Sequence, residues 1–381
     1  MIHIRTAASP IRKILFATLL ASGLMQADAA TLQGGPSRTG RVHALAVFAR
    51  FAEEGNLGTE VPPYAAGIFA VEQPGSLTHF YREMSRGQFE LSGQVLPRWY
   101  ASRSESAAYV GENKGYGDFV REVLVAVDDD VDLGLYDNDG PDGEANSGDD
   151  DGYVDFLFIV TNSAPQGFIV DAATGVAQLG LAFDFTSNDP AKRGGSIRIR
   201  ADIGSGGIGG TLQRGRSLTE AVGSMAHEFG HYLLLPDLYD LDYDIDPELG
   251  PVDDSGGIGY WGLMGHGNRG WNESGGLNPF SAWSLGQLGW LGVDNEQLET
   301  LSGDLDGAIF EDVNAGGTVY KLPMLDGPGY FLVEFRGRQN SYYERDLPAE
   351  GLLIWRVNTT RSGNDFEGSK LLDLVCADGL Y

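Results

Sequence analysis

Cysteine is almost missing from this chain. Cys376 is the only one, so no disulfide can form within it. It reads as an ordinary small buried residue rather than a catalytic thiol. Basic residues are also scarce: 26 Lys and Arg stand against 54 Asp and Glu, a net charge of -28. So acidic a surface repels phosphate backbones and anionic lipid, which argues against nucleic acid and membrane surfaces as partners. It suits a soluble protein, or one that binds calcium. After the first thirty residues no apolar run approaches the roughly 20 residues that a membrane-spanning helix needs, so stable membrane insertion is not expected. Histidine is rare as well, with six in all; His3, His43, His79 and His266 are scattered and the other two lie close together.

The first residues are of a different kind. Arg5, Arg12 and Lys13 precede an apolar run at 14–25, and Ala27-Asp28-Ala29 forms an A-x-A cleavage signal. Residues 1–29 therefore read as a signal peptide and the protein as exported, whether extracellular or periplasmic. The remaining residues are enough for two domains, and the texture changes near residue 292. We expect an α+β fold: a catalytic domain at 30–291 with a mixed sheet and an active-site helix, then a smaller, mostly β appendage at 292–381. Strands are expected at 41–51, 89–95 and 153–160, helices at 76–86, 116–127 and 281–291, and appendage strands at 318–325, 330–335 and 352–357.

The two paired histidines lie in residues 217–237, SLTEAVGSMAHEFGHYLLLPD. Ser217 and Glu220 have capping-box spacing, which predicts a helix start. Pro236 sets the latest stop. His227-Glu228-Phe229-Gly230-His231 is an H-E-x-x-H. Residues four apart share a helix face, so both imidazoles can close on one zinc ion, with Glu228 reaching a water beside it. Leu218, Val222, Met225, Phe229, Tyr232 and Leu233 form an apolar stripe on the opposite side. Catalytic zinc needs a third ligand and an open position. Asp237 lies six residues after His231, the spacing of the third ligand in H-E-x-x-H-x-x-G-x-x-H peptidases. Glu273 and Glu296 are distal alternatives. Those peptidases also carry a methionine turn under the metal, and YWGLMG at 260–265 offers Met264 for it.

Together HEFGHYLLLPDLYD, YWGLMGHG and NPFSAWSLGQLGWL resemble the immune inhibitor A family of secreted bacterial metallopeptidases, as do GSLTHFYREMSRGQFELSGQV and GLLIWRVN. The resemblance runs from about residue 42 to 379. It implies a zincin-like, metzincin-like fold, a zinc endopeptidase acting on protein or peptide substrates, ligands His227, His231 and Asp237, and Glu228 as general base. Leu234 departs from it, standing where the pattern has a glycine that leaves the helix with positive φ. Either Leu234 is strained or the helix runs on to Pro236. His266, just past Met264, either lines the cleft as an oxyanion group or sits at the surface. The alternative reading is a catalytically silent secreted calcium-binding or adhesive protein on the same fold.

An acidic loop spans 136–155. Ser147, Asp149, Asp151, Gly152 and Asp155 match positions 1, 3, 5, 6 and 9 of a calcium loop, without the closing Glu. Asp137 and Asp139 are further candidate calcium ligands. Residues 196–203, SIRIRADI, alternate like an edge strand that a substrate could extend. Asp240, Asp242, Asp244 and Asp246 form a second acidic run that either binds an ion or faces water.

Overall fold

The buried strand expected at 41–51 is β1 (Gly40–Arg50), near the middle of a five-stranded sheet. The computed structural model describes residues 37–375 except 112–114, 170–172, 202–207, 242–255, 272–274, 304–305 and 366–367. Residues 1–29, read as a signal peptide, Cys376, Glu273 and Asp242, Asp244 and Asp246 lie outside the described residues.

The sheet continues with β2 (Phe89–Ala101), β3 (Leu157–Thr161), β4 (Gly175–Val176) and, after a separate hairpin of β5 (Phe185–Pro190) and β6 (Ser196–Ile199), β7 (Gly210–Arg214). Its order is β2-β1-β3-β7-β4, all parallel except the antiparallel last strand. Both faces are covered, which explains why β1 and β3 read as continuous apolar runs rather than alternating ones. Ala44, Ala46 and Phe48 point to one core with Phe158 and Val160; Leu45, Val47 and Ala49 point to the other with Leu157 and Ile159. The first core takes α1 (Leu77–Met84) and α3 (Leu218–Tyr232), the second α2 (Tyr116–Asp128). Phe119, Val123 and Val127, the expected stripe of α2, are all fully buried. Each such side chain removed from water contributes about 1.5–3 kcal/mol.

β6, from the stretch read as an edge strand that a substrate could extend, lies outside the main sheet. β6 pairs with β5 in a two-stranded sheet, and β4 is the outer strand of the main sheet. Alternation reports that β6 has one buried face, Ile197 and Ile199, and one polar face; it says nothing of which sheet receives it. The polar face is spoken for: Arg198 and Arg200 both stack on Tyr153 and pair with Asp184 and Asp151.

After α4 (Ala282–Leu288) the chain builds a second sheet from β8 (Leu298–Thr300), β9 (Val319–Pro323), β10 (Tyr330–Arg336), β11 (Gly351–Val357) and β12 (Leu372–Leu374), in the order β12-β11-β10-β9-β8. It is antiparallel except for β8 with β9. Among the described residues, the β-rich texture expected after residue 292 is thus a sheet. Its inner face is not a separate core: Leu332, Trp355 and Leu372 belong to the same apolar cluster as Met225 and Phe280. Arg336, buried between Glu334 and Glu344, donates to the Phe280 carbonyl at 2.8 Å and ties β10 to the start of α4.

Candidate metal centre

Ser217 caps α3 by accepting the Glu220 N–H at 3.2 Å, as its spacing predicts. Val222, Met225, Phe229 and Leu233 pack into the core as a stripe. The opposite side is not open surface. Every residue from Ala221 to Gly230 is buried, His227 and Glu228 among them, because a loop and the outer strand close over it.

The helix stops at Tyr232. Leu234 adopts a φ of 70°, and Leu235 N–H returns to the Gly230 carbonyl at 3.0 Å. Leucine therefore occupies the left-handed position, at a cost of about 1–2 kcal/mol. The helix does not run on to Pro236. This reversal does two things for the site. It sends the chain back beneath the histidines, and it places the Leu235 carbonyl 2.8 Å from His231 Nδ1. His227 Nδ1 is held likewise, 2.8 Å from the Leu263 carbonyl. Each Nδ1–H donates to main chain, which leaves each Nε2 with its lone pair free for a ligand.

Both Nε2 atoms face Asp237 Oδ1, at 3.0 Å from His227 and 3.4 Å from His231. The three donor atoms lie within 4.8 Å of one another, the size of a cation site. Burial pushes the Asp237 carboxyl up, but the two imidazoles hold it well below the usual carboxylate range. Burial pushes His227 down, and Asp237 and Glu228 lift it to about 9. The Glu228 carboxyl is raised by burial, against the pull of both imidazoles. It lies against Gly175 of β4, where any side chain would collide with its Oε1.

Met264 is fully buried and packs on α3 at Gly230, whose missing Cβ leaves room for the sulfur. Its carbonyl accepts the Leu238 N–H at 2.9 Å. His266 is exposed beside this turn, its ring 5.2 Å from that of Tyr239. Glu296, one alternative third ligand, instead contacts Val293 N–H at 3.4 Å and is not in the histidine group. Tyr239 is a member of the site that the sequence does not announce. Burial, then the Asp237 and Glu228 charges, push its hydroxyl up, and its ring lies 6.2 Å from that of His227. The D-L-Y alternation, with Leu238 buried, is the signal that could have found it. Gly175 and the two orienting carbonyls carry no such signal.

The acidic loop forms a different group from the one its spacing suggests. Asp137, Asp139 and Asp155 bring carboxylate oxygens within 4.8 Å of one another. Asp149 and Asp151 lie outside this group. Asp149 is exposed and takes the Ser147 hydroxyl, and Asp151 pairs with Arg200. Asp150, which the calcium-loop spacing passes over, is buried and accepts the Gly140 and Ser147 N–H groups, which folds the loop on itself. Asp137 Oδ1 is buried without a hydrogen-bond partner. Burial, then the neighbouring aspartates, pushes Asp137 up to about 7. Asp155 also reaches about 7, chiefly through burial.

Residues 63–291, more than half of the chain and including α3, match the family described as immune inhibitor A peptidase M6, catalytic domain. The chain belongs to that family of metallopeptidases. It is 27% identical over 250 residues to the pre-pro-metalloprotease PrtV of Vibrio cholerae serotype O1, covering 58% of this chain and 25% of PrtV. It is 30% identical over 210 residues to immune inhibitor A of Bacillus thuringiensis subsp. alesti, covering 47% of this chain and 28% of that protein. The chain thus spans about a quarter of the length of these relatives. Among solved structures, wild-type OgpA from Akkermansia muciniphila aligns over 87% of this chain and 90% of its own at 15% identity, with a TM-score of 0.32. Catalytically inactive OgpA with an O-glycopeptide aligns at 13% identity and a TM-score of 0.28. Likenesses this distant carry no argument about the present site.

Proposed function

We propose that this metallopeptidase is a secreted zinc-dependent endopeptidase, with His227, His231 and Asp237 as zinc ligands. The observation that carries the reading is the convergence of two oriented Nε2 atoms and one carboxylate oxygen on a single point, with Glu228 at its side. Two imidazoles and one carboxylate suit zinc, and three protein ligands leave a position open. When bound, zinc supplies the Lewis acidity that polarises a scissile carbonyl and acidifies a water. Glu228 takes the proton of the attacking water and delivers it to the leaving amine; its raised, buried carboxyl is suited to both steps. The Leu263 and Leu235 carbonyls keep the imidazoles from turning. β4 ends the main sheet beside Glu228, and an extended substrate adds to its outer edge through main-chain hydrogen bonds.

The acidic loop binds calcium through Asp137, Asp139 and Asp155. Two observations support this: three carboxylates crowd together, and one buried oxygen among them lacks a partner. Export rests on the leader-like residues 1–29.

The purified chain should cleave casein or gelatin and contain zinc, and a zinc chelator should abolish cleavage. Asp237→Ala should lose both metal and activity. A zinc-loaded protein that cleaves nothing would favour the silent calcium-binding or adhesive reading. Full zinc occupancy in Asp237→Ala would move the third ligand elsewhere.

A further inference from the structure

We infer that Asn364, far along the chain in the β-rich C-terminal part, is a positioning residue for the metal centre, holding the main chain from which Asp237 projects. The inference rests on the zinc reading of His227, His231 and Asp237.

Asn364 is a fully buried amide with every contact directed. Its Nδ2 donates to the Leu372 carbonyl at 2.8 Å and, across the molecule, to the Leu238 carbonyl at 3.0 Å. Its Oδ1 accepts the Leu372 N–H at 3.0 Å. Leu238 is the residue between Asp237 and Tyr239. Its N–H is fixed by the Met264 carbonyl and its own carbonyl also accepts the Ile258 N–H, both at 2.9 Å. Its side chain is fully buried, in the same apolar cluster as Leu372.

The peptide units flanking Leu238 are therefore gripped from two directions. The turn containing Met264 holds one side, and the loop before β12 holds the other. That loop is itself closed, by Asn358 N–H to the Leu371 carbonyl at 2.8 Å and Leu371 N–H to the Gly363 carbonyl at 3.0 Å. With Leu238 held and its side chain buried, Asp237 has little freedom except to face the imidazoles. Of the three ligands, Asp237 is the one outside α3, so it is the one whose place the helix cannot guarantee. The buried amide explains the choice of side chain. Only a group that donates and accepts at one end serves Leu238 and Leu372 together, and an apolar replacement would strand the main-chain groups of Leu372. The C-terminal sheet is thereby part of the metal centre rather than an independent appendage.

The experiment uses the whole chain stripped of metal, with zinc affinity measured by competition with a chromophoric chelator. Supporting groups of this kind typically change metal affinity by about 10–100-fold, and that loss is expected for Asn364→Asp, which turns the donor into a second acceptor facing Leu238. The cobalt-substituted variant should also show a changed visible absorption spectrum, because the third ligand moves. Ser369→Ala is the control. Ser369 braces the same loop through Asn358 and Arg361 without touching Leu238, so its zinc affinity should match the parent. If Asn364→Asp does not fold, Asn364→Ser, which keeps a hydroxyl donor, takes its place. A folded Asn364 variant with parental zinc affinity and an unchanged cobalt spectrum would overturn the inference, as would an equal loss in Ser369→Ala. Asp237→Ala, measured alongside, separates the two failures. If it keeps zinc, the ligand assignment is wrong; if it loses zinc while the Asn364 variants do not, only the role of Asn364 is.

Discussion

Asp237 and the trio Asp137, Asp139 and Asp155 bear the same carboxylate in opposite surroundings. Asp237 sits against two imidazoles, which depress it. Asp137 and Asp155 sit with each other and are pushed up to about 7. In the first group the imidazoles oppose the effect of burial on the carboxyl; in the second the neighbouring carboxylates add to it. The difference separates two uses of a metal. On the proposed reading, an ion at the histidine site would do chemistry within a frame that is already bound together. At the acidic site an ion would be the missing partner of the frame itself.

Five variants would break or sharpen that contrast, and the largest effect is expected at the histidine site. Glu228→Gln should lower peptide cleavage by about 10²–10⁴-fold, the usual worth of a general acid–base group, with zinc content unchanged on metal analysis. Loss of zinc instead would make Glu228 part of the frame.

At the acidic site the effect should fall on stability. Calcium at a hundred times its dissociation constant should stabilise the chain by about 2.7 kcal/mol, read as a rise in Tm after chelation and re-addition. Asp137→Asn should abolish that rise and Asp149→Asn should leave it intact. The reverse pattern would restore the loop reading based on spacing.

Glu344 lies between the two cases. It is buried beside Arg336, yet burial outweighs the guanidinium and its carboxyl stands at about 7 rather than 4.5. A carboxyl raised in the folded state binds a proton that the unfolded chain has released. Its unfavourable contribution is absent below about pH 4.5, grows as pH rises, and is complete above about 7. With calcium saturating, Tm should fall across that window in the parent, and the fall should be shallower in Glu344→Gln. Parallel pH profiles would show that Arg336 compensates Glu344 fully, as the imidazoles do for Asp237.

The smallest effect concerns the turn below the histidines. Leu234 is about half exposed, so its side chain gives little packing in return for its left-handed backbone. Leu234→Asn should raise stability by up to about 1 kcal/mol in denaturant unfolding, since Asn tolerates that conformation better. A clear loss would mean that the leucine serves a contact outside this chain.

Legibility in the sequence tracks the distance over which a feature is decided. The α3 helix, its Ser217 cap, its apolar stripe and the His227/His231 pair are readable because residues three or four apart are neighbours on any helix. The turn under the site is readable from Met264 and its neighbours. The departure at Leu234 poses a choice between strain and a longer helix, and the backbone takes the strain. Which strand is outermost is not readable from pattern alone, because alternation records a half-buried strand and not its partner. Tyr239, Asp150 and Asn364 stay hidden because each acts through a main-chain or side-chain contact that no local pattern marks.

From its order of residues alone, the chain determined a helix bearing two histidines and a glutamate, the buried strands beneath it, and a carboxylate six residues on. Local geometry and burial set these whatever lies elsewhere. Only the tertiary structure decided that Asp137 and Asp139 meet Asp155, that β4 rather than β6 flanks Glu228, and that an amide 126 residues away holds Leu238. Such contacts arise when separately stable elements dock. Their partners are chosen by the packing of whole faces, which no short stretch of sequence contains.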